Sequence, residues 1–277
     1  STMITSRGCP HKCVFCKVHA QNTVCDAVDK VVVESALLAE AGVREVEVYD
    51  DTFTWSKQRV AAICEELIRL DLGVAWAVRD RVNRADPELL KLMRRAGCNR
   101  VHYGIESGVD DILRRSGKGI TTDQARRAVA WAKQARMTVL TFFMLGLPGE
   151  REEDMLRSIA FSKELNADYT TFSVAIPYPG TAMYAEALDK GIIPTDYWRA
   201  YALDPTPGFR IPKVYEEHVD LATLRRLQAR AHKEFYLRPR YVLRQALRVR
   251  SMGEFLRKAH MGLSIMRYAL RGSRANG

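Results

Sequence analysis

The chain has 277 residues, 47% of them hydrophobic and 27% charged, with a net charge of +10. These values describe a soluble globular protein, long enough for one large α/β domain plus an appendage. No apolar run reaches the ~18 residues of a transmembrane helix, no signal peptide is present, and six cysteines, three of them clustered, point to metal chemistry rather than a disulfide frame. The chain opens on Ser1, without an initiator Met and almost on its first strand, which fits a piece of a longer protein.

Strand-like and helix-like segments alternate along the sequence. "TMITS" (2–6) reads as a first strand leading into a cysteine-rich loop. Helix 29–42 stops at a glycine, and "REVEVYD" (44–50) alternates as a strand. Segment 57–71 places Val60, Ile63, Cys64 and Leu67 at helical period. Strand 74–78, helix 87–97 and strand 100–104 follow. Helix 121–135 opens on a capping box, Thr121 to Gln124. Strand 138–145, helix 150–165 with acids in its first turn, and strand 168–176 complete the series. Repeated βα units imply right-handed crossovers and a parallel sheet. Winding in one direction favours a partial six-stranded (β/α)6 TIM-like barrel over residues 1–195, followed by a basic α-helical C-terminal extension over 196–277.

From Arg225 onward the chain holds 14 Lys and Arg against 2 Asp and Glu, so a body near neutrality carries a strongly basic tail. Pro239 and Gly253 interrupt its helical pattern. Arg240, Arg244 and Arg248 recur on one face; Val242, Leu243, Ala246, Leu247 and Val249 form an apolar one. A second amphipathic piece is "GLSIMRYALRG" (262–272). Such a tail packs on the barrel with its arginines solvated, lies on an anionic membrane surface, or binds nucleic acid. Sparse aromatics and the lack of a recognisable RNA module argue against nucleic acid.

In a β/α barrel function gathers at the C-terminal ends of the strands, and the unusual residues of this chain fall there. The ends carry, in order, the cysteine loop, "YDDTF" with Asp50 and Asp51, "RDR" with Arg79 and Arg81, "GIESG" with Glu106 and Ser107, "GLPGE" with Gly146 and Gly149, and "PYPGT". The loop "TSRGCPHKCVFCKVHA" (5–20) brings Cys9, Cys13 and Cys16 within eight residues. Thiolates bind soft or borderline metals. A structural zinc site closes with four ligands, the fourth here from His11 or His19. An iron–sulfur cluster ordinarily takes four cysteines, so three leave one iron open for a cofactor or substrate.

Cys9-x3-Cys13-x2-Cys16 directly after a first strand resembles the radical S-adenosylmethionine (radical SAM) superfamily. With "DDTF", "GIESG", "FFMLGLPGE" and "PYPGT", the chain resembles the branch that usually carries an upstream cobalamin-binding domain and includes anaerobic magnesium-protoporphyrin ester cyclase-like and hopanoid-modifying enzymes. The likeness covers roughly residues 1–190. It implies that Cys9, Cys13 and Cys16 hold a [4Fe–4S] cluster, and that S-adenosylmethionine chelates the open iron. Reductive cleavage would then give methionine and a 5′-deoxyadenosyl radical that abstracts hydrogen from the substrate. By position, Phe15 would pack near the adenine and Asp50 or Asp51 would receive the methionine amino group. Arg81 would pair with its carboxylate. Glu106, with Ser107 beside it, would accept from the ribose. Gly146 and Gly149 would let backbone approach the cofactor, and Ser173–Ile176, with Ala175, would flank the adenine.

The resemblance also implies a small-molecule substrate, methylated, cyclised or rearranged at an unactivated carbon, and an electron donor such as a flavodoxin or ferredoxin. It leaves cobalamin use open, its usual domain being outside this chain. A lipid- or porphyrin-like substrate would suit a cytoplasmic enzyme held at a membrane surface by its basic tail. Each residue also has a structural reading: Phe15 in the core, Asp50 and Asp51 as helix caps, Arg81 in a surface ion pair, Gly146–Gly149 as a helix-entry turn, and Cys64 and Cys98 as buried small hydrophobes. The alternative to an enzyme is a non-catalytic iron–sulfur, zinc or electron-transfer module.

Overall fold

Six parallel strands form one sheet whose order follows the chain. The computed structural model describes residues 1–18, 22–206 and 215–247, with Met252, Gly253, Leu256 and His260. Strand β1 (Thr2–Met3) enters the sheet, and β2 (Ser6–Arg7) pairs antiparallel with β3 (Val24–Cys25) as a ribbon clasping the base of the cysteine loop. Helix α1 (Val28–Glu40), β4 (Glu45–Val48), α2 (Lys57–Leu70), β5 (Ala75–Asp80), α3 (Pro87–Arg95) and β6 (Cys98–Glu106) follow. Then come α4 (Asp110–Arg115), α5 (Thr122–Gln134), β7 (Thr138–Leu145), α6 (Glu152–Leu165), β8 (Tyr169–Val174), α7 (Ala182–Asp189), α8 (Tyr197–Leu203), α9 (Leu221–Tyr236) and α10 (Pro239–Leu247). The sheet runs β1-β4-β5-β6-β7-β8 and leaves β1 and β8 as unjoined edges, the partial barrel expected.

Strand alternation divides the sheet into two faces. Val46, Val48, Trp76, Val78, Val101, Tyr103, Val139 and Phe143 join the buried core with Val60, Ile63 and Cys64 of α2 and Val129 of α5. Glu47, Arg79, Arg100, His102 and Phe142 point to the opposite, concave face. The helix ends are set as the sequence requires: Ser56 accepts from Arg59 N, Asp86 precedes Pro87 at the start of α3, and Thr121–Gln124 form the capping box. Cys64 and Cys98 are buried core thiols.

The C-terminal extension packs differently from its apolar pattern. Helix α9 covers the free edge of β8: the Tyr236 hydroxyl donates to Thr170 O at 2.7 Å and accepts from Thr170 N at 3.0 Å, and Gln228 Nε2 donates to Phe172 O at 2.8 Å. In α10 the expected packing residues Val242, Leu243 and Leu247 are exposed, and Tyr241 is the buried side chain. Nor are all the arginines left to solvent. Arg238 Nη1 donates to Lys163 O at 2.8 Å; Arg244 Nη2 donates to Ala167 O and Nη1 to Asn166 Oδ1, both at 3.0 Å. Lys163 O, which also accepts from Asn166 N at the end of α6, and the two residues just past that end thus take guanidinium donors. Gly253, expected as a break, is itself helical. Arg248, Val249 and the 262–272 piece lie outside the described residues. No helix among the described residues is long and apolar enough to cross a membrane.

Tyr236→Phe leaves the edge N–H and C=O of Thr170 without partners, which should cost about 1–3 kcal/mol. Thermal unfolding should show a fall of roughly 2–4 °C per kcal/mol for a domain of this size; an unchanged midpoint would show that the edge is not held by this hydroxyl.

Candidate cofactor site at the strand ends

Over its described residues, 8–18, the cysteine loop has almost no regular structure, and side chains and backbone from elsewhere in the chain hold it. Asp50, 1% exposed just after β4, accepts four hydrogen bonds from the two residues that lead into the loop. Thr5 N and Ser6 N reach Oδ1 at 2.6 and 3.0 Å; the Thr5 and Ser6 hydroxyls reach Oδ2, both at 2.6 Å. Asp51 Oδ2 accepts from Gly8 N at 2.9 Å. Neither acid caps a helix; Ser56 caps α2. The expected pair of acids thus stands beside the loop, and both members grip its backbone.

Behind the loop lies the turn Ser116–Gly119, between α4 and α5. Val14 N donates to Ser116 O at 2.9 Å. Gly117, at φ +65°, presses against the loop so closely that a Cβ would stand 2.5 Å from Lys12 O and 3.6 Å from Cys13 Cα. Lys118, 7% exposed, donates to Glu106 Oε1 at 2.8 Å and lies 5.9 Å from the Phe15 ring centre. Glu106 pairs with Phe143 just after a register shift that follows Gly104, and it stands at φ +73°, a backbone state costing about 1–3 kcal/mol for a side-chain-bearing residue.

Arg81 is 5% exposed, so it is not a surface ion pair. Its Nη1 donates to Cys13 Sγ at 3.7 Å, Nε to Asn83 Oδ1 at 3.4 Å, and Nη2 to Lys118 O. Cys9 Sγ lies 3.8 Å from Thr52 Oγ1, and Val18 N donates to Cys16 Sγ at 3.4 Å. Burial, opposed by the Val18 N–H and reinforced by the charges of Cys13 and Cys9, raises the Cys16 thiol above its ordinary value. Burial, then Arg81, Arg84 and Lys118, push His11 down to about 4, so its imidazole is neutral.

The other expected residues separate into two groups. Phe15 and Ala175 share one apolar cluster with Val109, Ile112, Leu147 and Met183, and Met183 N donates to Val14 O at 2.9 Å, tying α7 to the loop. Ser107 and Gly146 face helices instead. The Ser107 hydroxyl meets Ser158 Oγ at 3.1 Å and accepts from Val109 N. A Cβ on Gly146 would meet Leu224 Cδ2 at 3.0 Å, and its N–H donates to Glu150 Oε2 at 2.7 Å. Gly149 N donates to Glu217 Oε2.

Glu150 is 2% exposed and accepts from Gly146 N and Leu147 N; burial pushes its carboxyl up to about 8. Thr5, Ser6, Asn83, Gly117 and Lys118 were not foreseen from the sequence; a lysine between two glycines in "SGKGI" was the one available signal.

The concave face beneath the loop is ionic. Arg79 stacks 3.8 Å over the half-exposed Tyr49 ring and donates to Glu47 Oε1 at 3.2 Å. Arg100 bridges Glu45 and His102, and the His102 ring meets Phe142 edge-on.

The donor chemistry fits a cluster. Three thiols share one loop, and one of them, Cys13, accepts from the Arg81 guanidinium. Among the described residues no three His, Cys, Asp or Glu side chains converge as the ligands of a single ion do. A zinc site requires that convergence, at about 2.0–2.3 Å; a four-iron cluster places each thiolate on a different iron and does not. His19 lies outside the described residues.

A parallel partial barrel whose first strand opens into a three-cysteine loop, walled by cations and acids at the strand ends, defines a barrel enzyme built around a thiolate-held cofactor. The chain belongs to the radical SAM superfamily, whose family profile matches residues 3–162; that family uses a [4Fe–4S] cluster and S-adenosylmethionine. It is 35% identical over 247 residues to an uncharacterized methyltransferase of Pyrococcus horikoshii, covering 87% of this chain and 52% of that protein. It is 29% identical to the anaerobic magnesium-protoporphyrin IX monomethyl ester cyclase of Rubrivivax gelatinosus, covering 67% of this chain and 34% of that one. The chain thus spans about half, or less, of the length of these relatives. In fold it is similar to the methyltransferase TsrM of Kitasatospora setae, with TM-score 0.64, 21% identity and coverage of 69% and 38%. The cobalamin-dependent enzyme OxsB gives TM-score 0.68, 15% identity and coverage of 97% and 46%.

Two outcomes test this geometry. Asp50→Asn leaves two of four buried donors facing an amide nitrogen, at about 1–3 kcal/mol each. Urea unfolding should show that loss, and iron uptake on reconstitution should fall with it; full stability would mean the Asp50 clamp is dispensable. Glu150 gives a pH signature. Between the ordinary carboxyl value of 4.5 and about 8 the folded chain keeps a proton that the unfolded chain releases, so stability falls as pH rises through that window. Glu150→Gln removes this slope. The variant should gain steadily on the parent from about pH 5 to about pH 8 in urea midpoints, whereas parallel profiles would show an ionised Glu150 in the fold.

Proposed function

We propose that this chain is the catalytic barrel of an enzyme that cleaves S-adenosylmethionine reductively and modifies an unactivated carbon of a small molecule, by methylation, cyclisation or rearrangement. The observation that carries the reading is the loop of Cys9, Cys13 and Cys16, immobilised at the strand ends by Asp50, Asp51 and the Ser116–Gly119 turn. Those three thiolates would hold the cluster. When bound, it supplies the electron that breaks the sulfonium bond and yields a carbon radical.

The chain's own residues position and shield. Asp50 and Gly117 fix the loop. Phe15 and Ala175, in one apolar cluster, offer a dry wall for the adenine. Glu106, steadied by Lys118, offers a carboxylate for the ribose hydroxyls, with one oxygen left for that purpose. Asp51, half-engaged with Gly8, is the better placed acid for the methionine amino group, because the oxygens of Asp50 already accept four bonds.

For the substrate we read a flat or extended apolar body bearing acidic groups, in the porphyrin- or lipid-like range. The Arg79–Tyr49 stack on the concave face supports it: the aromatic ring presents a flat surface, and the Arg79 side chain stacked on it is 39% exposed. The cyclase relative acts, by its name, on a porphyrin ester. Turnover would further draw on an external electron donor of the flavodoxin or ferredoxin type. Cobalamin would be held by residues outside this chain, as the likeness to OxsB suggests.

Anaerobic reconstitution with iron and sulfide, followed by reduction in the presence of S-adenosylmethionine, should give a cluster of near four irons per chain and release 5′-deoxyadenosine or S-adenosylhomocysteine. Cys13→Ala should lose both iron and product. A stable cluster that yields neither nucleoside would overturn the enzymatic reading.

A further inference from the structure

Among the described residues Arg81 is a buried cation without a carboxylate ion-pair partner. It is 5% exposed, and its acceptors are two neutral oxygens, Asn83 Oδ1 and Lys118 O, and the sulfur of Cys13. No ion pair joins it to an Asp or Glu among the described residues. The nearby buried lysine differs, because Lys118 pairs with Glu106 at 2.8 Å. Isolating a charge in a dry site costs several kcal/mol unless an opposite charge compensates it. The residue is nevertheless held at three points, two of them on the guanidinium. Asp80 Oδ1 fixes the Arg81 backbone N–H at 2.8 Å, Asn83 fixes Nε, and the Lys118 carbonyl fixes Nη2. What remains in front of Nη1 is Cys13 Sγ, at 3.7 Å. The arrangement becomes electrostatically balanced when that sulfur is an anionic thiolate.

We propose that Arg81 is the counter-ion and hydrogen-bond donor of the Cys13 ligand sulfur and thereby raises the reduction potential of the cluster, instead of binding the carboxylate of S-adenosylmethionine. This rests on the reading that Cys9, Cys13 and Cys16 hold the cluster. One-electron reduction adds negative charge to the cluster and its thiolates, and a fixed positive donor beside one ligand sulfur stabilises the reduced form more than the oxidised form. Hydrogen bonds to cluster sulfurs and local charge are among the determinants of such potentials. Arg81 is thus a positioning and tuning residue. Asn83 and the Ser116–Gly119 turn keep it aimed.

The test uses the full chain, reconstituted anaerobically, as wild type, Arg81→Met, Arg81→Lys and Asn83→Leu. Iron is counted first. The reduced-cluster electron paramagnetic resonance signal is then titrated against potential with dithionite, and S-adenosylmethionine affinity is measured by equilibrium dialysis on the oxidised cluster. The midpoint should move to a more negative potential in Arg81→Met and by a smaller amount in Arg81→Lys, which keeps the charge but loses the fork. Asn83→Leu should shift it the same way, with cofactor affinity unchanged in all three. In protein labelled with 15N-arginine, the wild-type reduced cluster should show a nitrogen coupling that Arg81→Met lacks. Wild-type midpoints across the variants, or an unchanged midpoint with lost cofactor affinity, would overturn the proposal and return Arg81 to the cofactor carboxylate. If Arg81→Met holds no iron, the other two variants decide by the same criteria. A wild-type chain that takes up no iron would instead sink the underlying reading.

Discussion

The site depends on immobilising a loop that has no ladder of its own. Residues 8–18 form no strand or helix that could set three sulfurs in place, so their positions are imposed from outside. The first constraint is the Asp50 carboxylate, which gathers two backbone N–H groups and two hydroxyls from Thr5 and Ser6 at the loop's entrance. A buried carboxylate is costly alone and strong when every lone pair is met, because low local polarity magnifies each bond. The acid follows β4, and β1 pairs with β4, so the sheet itself delivers the clamp to the chain leaving β1. Arg59 adds to the same entrance, donating to Thr5 O and Asp26 O at 2.9 Å. The ribbon of Ser6–Arg7 with Val24–Cys25 closes the loop's base.

Much of this was legible in the sequence. Strand period, glycine stops and a capping box located all six sheet strands, since those signals are local and each agrees with the fold. The cysteine spacing was legible for the same reason. The direction in which a side chain points at a strand end was not. Ser107 and Gly146 sit in motifs at the expected ends, yet they meet α6 and α9, because the chain alternates faces until the last strand residue and a bulge or turn then resets the phase. Locally Asp50 and Asp51 fit a cofactor acid or a helix cap; a long-range clamp 45 residues distant in sequence has no local signature. Lys118 was missed because it lies on a turn between two helices, away from any strand terminus, and reaches the site only through tertiary packing.

The basic extension shows the same limit. Its apolar face was visible as a pattern, but patterning does not say whether an apolar stripe or a polar group docks. Here the edge of β8 and the segment 163–168 present backbone carbonyls, and carbonyls at a packed surface need donors. Tyr236, Gln228, Arg238 and Arg244 supply them, and Tyr241 adds a hydroxyl to Asp168 O at 2.9 Å. Blunting an exposed parallel edge with a helix also removes a template for pairing with other chains. The net charge of the tail is therefore in part structural, with arginines chosen as forked donors.

Charge placement around the loop separates two tasks. Lys118 and Glu106 neutralise each other, so that pair can present a carboxylate oxygen to a neutral hydroxyl without leaving an isolated charge in the barrel. Arg81, with neutral oxygens on two sides, keeps its positive charge for whatever stands at Cys13. Neutral His11 beside it, pushed down to about 4, adds no competing proton donor of positive charge at physiological pH. One cation is thus consumed in orienting an acid and the other is left uncompensated toward sulfur. A site meant only to bind a neutral or cationic ligand would have no use for the second, whose remaining donor is aimed at a single sulfur, that of Cys13.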